Sequence, residues 1–282
     1  MKPYTRYRYA KNWTALALCC VSGLIVLVPL GYILMYTVIH GLSALNLSFF
    51  TNLPKPVGET GGGIANALVG TLVMLLLSGV IAIPIGVLSG IYLAEFGNNT
   101  FGNVIRFMTD VMNGLPSIII GVFAYTLVVI PMKRFSAIAG AVALSILMLP
   151  IIIRATEELV KLVPGHIREG GVAIGIPRWK VSLRIILRTA MPGIITAIML
   201  SVARAAGETA PLLFTALGNR FWQARLDQPM AAVSLQIYEY AKAPYEDWHA
   251  QAWAASLVVI MMILVFKIII RIVTKGEVKA AT

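Results

Sequence analysis

Charged side chains are scarce in this sequence. Only 12% of its 282 residues are Asp, Glu, Lys or Arg, where a soluble domain carries about a quarter. Too few remain to cover a globular surface, so the natural solvent is lipid. Acidic groups are the scarcer sign, 12 against 23 Lys and Arg. The basic residues fall in blocks between apolar runs instead of one patch, a pattern of membrane topology and not of nucleic-acid binding. The two cysteines, Cys19 and Cys20, are adjacent inside an apolar run. That excludes a useful disulfide staple or a metal-ligand spacing and leaves packing. His40, His166 and His249 are far apart and suggest no metal site. There is no Gly-x-x-x-x-Gly-Lys-Ser/Thr loop, no metal-protease motif, no nucleophile elbow and no paired catalytic carboxylates. No catalytic residue is assigned and no cofactor is expected on this chain. Energy for any active process must come from a partner.

What is abundant is apolar sequence: 59% of residues are hydrophobic and the mean hydropathy is +0.84. A membrane-crossing helix needs about 20 mostly apolar residues. Six runs qualify: 13–39, 64–94, 111–132, 135–153, one beginning near Thr189 and continuing toward Gly207, and 250–270. The first follows Lys2, Arg6, Arg8 and Lys11; it is too long for a signal peptide and lacks a small-residue cleavage pattern, so it reads as a retained helix. With the N-terminus in the cytoplasm, only Lys55, Lys133, Arg134, Arg220, Arg225 and Lys242 of the basic residues lie outside, and Arg204 lies within a span. The bias places both termini in the cytoplasm. The expected organisation is a cytoplasmic segment 1–12, a transmembrane domain 13–274 containing a cytoplasmic loop 154–188, and a cytoplasmic tail 275–282.

Two connections, 41–63 and 218–249, are long and external. The second carries Trp222, Tyr238, Tyr240, Tyr245 and Trp248, which read either as an interfacial aromatic belt or as a docking surface for an external partner. In the cytoplasmic loop, Pro164 suits the first turn of a helix, Gly175 its C-terminal end, and Pro177 blocks continuation. A short helix of about three turns follows. Its Gly170, Gly171 and Ala173 would admit a close protein surface, and Arg168 and Glu169 add polar edges. The alternative is an amphipathic connector lying on lipid headgroups.

This loop resembles one shared by the permeases of binding-protein-dependent ABC importers. Their pattern is Glu-Ala-Ala, a Gly after three intervening residues, then an apolar stretch leading to Pro. Glu169 and Gly175 match it, as does Met191-Pro192-Gly193, while Gly170 and Gly171 stand in place of the alanines. The similarity narrows to the A-type phosphate permeases through the runs 61–68, 90–95, 115–121 and Ala203 to Phe214. The resemblance implies an all-α integral membrane fold with six transmembrane helices and a cytoplasmic coupling helix. It implies import of inorganic phosphate across a bacterial inner membrane. It implies four kinds of partner: a cytoplasmic ATPase dimer that uses ATP and Mg, a second related permease subunit, an extracytoplasmic phosphate-binding protein, and membrane lipid. Arg168, Glu169, Gly170, Gly171, Ala173 and Gly175 would form the ATPase contact. Sulfate and molybdate permeases share the fold and loop, and a self-contained secondary transporter or a non-transporting anchor stays open.

Arg204 and Glu208 have i, i+4 spacing, which places them on one face of a helix, in an otherwise uncharged run. Charge at membrane depth costs a few kcal/mol and usually faces a bundle interior or an aqueous cavity. Arg offers a planar fork of donors suited to a phosphate oxyanion, and Glu208 could hold it when the path is empty. The alternative is a buried pair that only fixes packing. Arg154, after Pro150-Ile151-Ile152-Ile153, reads alone as a snorkelling arginine; the resemblance implies a pathway role. Arg106 and Asp110 are read as a local i, i+4 pair near a cytoplasmic boundary. Pro84, Pro116, Pro150, Pro192 and Pro211 could break or kink the spans.

Overall fold

The computed structural model describes residues 3–59 and 61–280. The ends of the expected terminal segments, 1–2 and 281–282, lie outside the described residues. Every named element is a helix: α1 (Pro3–Leu42), α2 (Leu47–Thr51), α3 (Ala65–Glu95), α4 (Thr100–Gly114), α5 (Ser117–Met132), α6 (Ala137–Lys161), α7 (Gly165–Ala173), α8 (Arg178–Ala206), α9 (Ala210–Leu213), α10 (Val233–Lys242) and α11 (Glu246–Ala280). Among the described residues five helices are long and apolar enough to cross a membrane, or six if the bent pair α4–α5 is one span.

That bend corrects the third expected span, 111–132. Pro116 sterically disfavours the helical region for the residue before it. Leu115 accordingly has ψ 135° and Pro116 ψ 136°. The helix stops at Gly114, restarts at Ser117 and changes direction by 110°. Polarity also marked the helix ends less well than expected. α6 runs past Ile153 through the charged stretch to Lys161, and α8 starts at Arg178, well before Thr189. In α6 opposite charges three and four apart, Arg154 with Glu157 and Glu157 with Lys161, stabilise the helix surface, so loss of hydropathy there does not end that helix. The non-helical part of the 154–188 loop shrinks to short joints on either side of α7.

The packing centre is the crossing of α3 and α6. Small residues let two helices approach closely where lipid supplies no hydrophobic drive. Ala82, Gly86 and Gly90 recur every four residues and are buried on α3. A Cβ on Gly86 would meet Ile152 Cγ2 at 2.7 Å, and one on Gly90 would meet Thr156 Cβ at 2.5 Å. α8 packs beside α6, where Gly193 leaves room for Leu159. α1 is the exception: none of its most apolar window is buried. Its inner edge touches α11, with Tyr36 against Trp253 at 5.1 Å between ring centroids.

Beyond α8 the chain folds back over the bundle end opposite α7. Thr215, Leu226 and Gln228 lend carbonyls to the backbone N–H groups of Ser136, Ile138 and Ala137. These are donors at the start of α6 that would otherwise lack intrahelical partners. Asn66 Nδ2 donates to Asn219 O at 2.6 Å, and the Val233 amide to Thr71 Oγ1 at 2.9 Å. Asp227 accepts from Arg134 at 2.8 Å and from Arg225, whose hydrogen bond holds the Asp227 carboxyl below the usual range.

Candidate functional site

Arg204 and Glu208 do meet, but not on one helix face. α8 ends at Ala206 with Gly207 as its cap. A proline in a continued helix would clash with the carbonyl four residues back. Pro211 therefore blocks continuation through Gly207, and Glu208 lies on the break. Its Oε1 is 3.6 Å from Arg204 Nε, with Arg204 51% exposed and Glu208 17%. The Glu208 carbonyl accepts from Ser234 Oγ at 2.9 Å, tying the break to α10. Ala205 and Ala206 share a core cluster with Leu144, Leu147 and Met148 of mid-α6. Arg204 thus stands beside the bundle core, two residues before the end of α8, half open to whatever lies beside that helix.

Arg154 lies elsewhere, nearer the α7 end of α6, and no hydrogen bond or ion pair among the described residues joins it to Arg204 or Glu208. Its Nη1 is 3.2 Å from Glu157 Oε2, and its Nη2 is 3.6 Å from Asp110. The local Arg106–Asp110 pair is not formed. Arg106 Nε donates to Glu157 Oε1 at 2.6 Å, and its other nitrogens donate to Gly97 O, Leu93 O and Asn103 Oδ1. An exposed i, i+4 pair contributes only a few tenths of a kcal/mol, whereas a buried carboxylate must be paired. Glu157 is fully buried and takes the better-placed arginine. Lys161 Nζ completes the group, 2.7 Å from the same carboxylate oxygen. Sequence reasoning missed Glu157 as the hub, although Arg154 and Lys161 stand three and four residues from it on the same helix.

The short helix forms as its sequence dictates. Pro164 is the N-cap. Gly175 adopts φ +84°, a left-handed conformation open to glycine at little cost. Its amide bonds Val172 O at 2.9 Å and the Ile176 amide bonds Gly171 O at 3.3 Å, the paired closure of a Schellman C-cap. The six loop residues divide by direction. Arg168 turns inward: Nε donates to Glu95 Oε1 at 2.8 Å, and its Nη atoms reach Val163 O and Val160 O. Gly171 is also inward, since a Cβ there would meet Val181 Cγ2 at 2.9 Å. Glu169, Gly170, Ala173 and Gly175 face outward, beside exposed Val172 and Ile174. Glu95, which also accepts from Ser182 Oγ at 3.4 Å, is a second anchor the sequence reading did not assign.

Residues 82–278 match the family model described as binding-protein-dependent transport system inner membrane component. The chain is 41% identical over 268 residues to the phosphate transport system permease protein PstA of Yersinia pestis, covering 95% of this chain and 91% of that one. It is 37% identical over 268 residues to the protein of the same name from Mycobacterium leprae, covering 93% and 88%. Among solved structures, an inward-facing form of the MetNI methionine ABC transporter superposes with a TM-score of 0.55 at 21% identity, over 78% of this chain and 94% of that one. An amino acid ABC transporter structure gives a TM-score of 0.54 at 15% identity, over 75% and 94%. These likenesses carry the all-α importer-permease fold.

Proposed function

This chain belongs to the family of binding-protein-dependent transport system inner membrane components, and from that membership we propose that it is the permease subunit that carries inorganic phosphate into the cytoplasm. The observation that carries the substrate is the Arg204–Glu208 pair. A guanidinium beside the bundle core, loosely paired at 3.6 Å and half exposed, offers charge-assisted donors to an oxyanion where water is scarce. Phosphate is the substrate named for the relatives with which this chain shares about two fifths of its sequence. Arg154 is the second pathway cation. A positive charge in a low-dielectric passage replaces part of the hydration that the anion loses on entry. Glu208 supplies the competing anion while the path is empty.

The chain hydrolyses nothing itself and binds no cofactor. A cytoplasmic ATPase dimer, using ATP and Mg, docks on the outward side of α7 through Glu169, Gly170, Ala173 and Gly175. Arg168 and Gly171 serve that contact indirectly by seating α7 on the bundle. A second, related permease covers Arg204, and an extracytoplasmic phosphate-binding protein delivers the anion. Both termini are cytoplasmic. The domains are a short N-terminal segment 1–12, the permease domain 13–274 and a tail 275–282.

The test is uptake of radiolabelled phosphate into vesicles containing the complete reconstituted complex, with sulfate and molybdate as competitors. Phosphate uptake that depends on ATP and withstands excess sulfate is expected. Uptake blocked by sulfate or molybdate, or driven by an ion gradient without ATP, would replace this reading with one of its rivals.

A further inference from the structure

Glu157 is the one fully buried carboxylate in the transmembrane bundle among the described residues, and the transport path as proposed does not use it. Its environment is unusual. Oε1 accepts from Arg106 Nε at 2.6 Å and Lys161 Nζ at 2.7 Å; Oε2 accepts from Arg154 Nη1 at 3.2 Å. The three cations are held differently. Arg106 is locked by the Gly97 and Leu93 carbonyls at the end of α3 and is 23% exposed. Arg154 and Lys161 are 40% and 44% exposed, so their charged ends stay open on one side. Asp110 lies on that open side, 55% exposed and 3.6 Å from Arg154. Three converging cations would hold a phosphate oxyanion well, yet the protein fills their centre with its own carboxylate.

We propose that Glu157 is a resident counter-anion that holds this cationic cluster in a neutralised state, so that phosphate leaving past Arg154 is released and not retained. The proposal rests on the reading of the chain as a phosphate permease with Arg154 on the path. With both carboxylates present the five groups carry a net charge of about one; removing the Glu157 charge raises it to about two in a partly desolvated site, where attraction for an anion is strong. Glu157 is then a positioning residue for Arg154 and not a contact of the substrate. A purely structural Glu157 would do something else: it would staple α4 to α6, and its loss would show as failed assembly.

The experiment uses the complete complex with inorganic phosphate as the probe. In vesicles, Glu157→Gln is expected to lower kcat for uptake about tenfold, the size of one charge-assisted hydrogen bond, with KM falling in proportion, because capture happens on the other side and kcat/KM is unchanged. Equilibrium dialysis of the purified complex should show more bound phosphate than wild type, and adding Arg154→Gln to the same chain should remove the excess. Glu157→Asp, which keeps the charge, should restore most of the rate. Asp110→Asn changes an exposed side chain and is expected to assemble; it should raise retention in the same direction, by less. Glu157→Gln that assembles with wild-type kcat and no extra phosphate overturns the proposal. If that variant fails to assemble, an assembled Asp110→Asn without extra phosphate overturns it as well. Failure of the permease reading is distinguishable, because the wild-type complex would then take up no phosphate at all.

Discussion

At the scale of single residues, Arg204 is the sharpest test, because charge and fork geometry can be varied separately. Arg204→Gln removes the charge and should reduce phosphate uptake by about a hundredfold, the loss typical of one preorganised electrostatic donor, while the complex still assembles. Arg204→Lys keeps the charge and loses the planar fork, so it should retain intermediate uptake. Glu208→Gln should change apparent affinity more than maximal rate, since the carboxylate only competes with the anion. If the pair merely fixed packing, both single variants would misassemble and a charge swap between the positions would restore complex and transport together. Uptake rates normalised to assembled complex separate the two outcomes, and normal uptake by assembled Arg204→Gln would remove Arg204 from the path. The contact of Arg204 with Glu208 was legible in the sequence, because two opposite charges inside an apolar run stand out. The partner choice of Arg106 was not. Spacing along one helix cannot reveal that Glu157, 51 residues away, is buried against it by the packing of α4 on α6.

At the scale of elements, α7 shows how a short motif divides its labour. Gly170 has open space where a Cβ would project, while Gly171 meets Val181 and Ile185. The two adjacent glycines should therefore respond oppositely. Gly170→Ala should be neutral or stabilising by up to about 1 kcal/mol, from helix propensity alone. Gly171→Leu should lift α7 off α8, reduce ATPase docking and lower uptake. Thermal unfolding of the complex and ATPase co-purification read both effects; similar behaviour of the two variants would contradict the inward and outward assignment. On the outward side, a cysteine at Ala173 should crosslink to the ATPase, and Glu169→Lys should reduce transport-coupled hydrolysis without unfolding the bundle. The same element shows what sequence can supply: Pro164, Gly175 and Pro177 mark its limits because backbone stereochemistry is local. The broken third span and the helical ends of the 154–188 loop were harder to read. Hydropathy reports the solvent a segment prefers and not its backbone path, so a run can stay apolar through the 110° bend at Leu115-Pro116. A helix can likewise stay helical after its polarity changes, as α6 does beyond Ile153.

At the scale of the whole molecule, the lone chain leaves both apolar and charged surface open. α1 contributes no buried residues in its most apolar window, which suits lipid and costs nothing there. Arg204 is different, being 51% exposed beside the bundle core. Facing hydrocarbon, such a charge costs a few kcal/mol on insertion scales; facing a second permease across the proposed transport path, it would meet polar groups in place of lipid. Function and the stability of the isolated subunit should therefore oppose each other at this site. The double variant Arg204→Gln/Glu208→Gln removes both charges together and leaves neither partner unpaired. In the isolated chain reconstituted in lipid, it should raise resistance to denaturant by roughly 1–3 kcal/mol, the upper end being the insertion cost of a central arginine. In the complete complex the same variant should gain little stability, because assembly already supplies the polar environment, and it should lose phosphate uptake as Arg204→Gln does. Denaturant titration of the lone subunit beside uptake by the complex makes the comparison. If the double variant destabilises the lone chain, the pair is holding the end of α8 in place, and the half-open arginine is a packing feature and not the lining of a path shared with a second subunit.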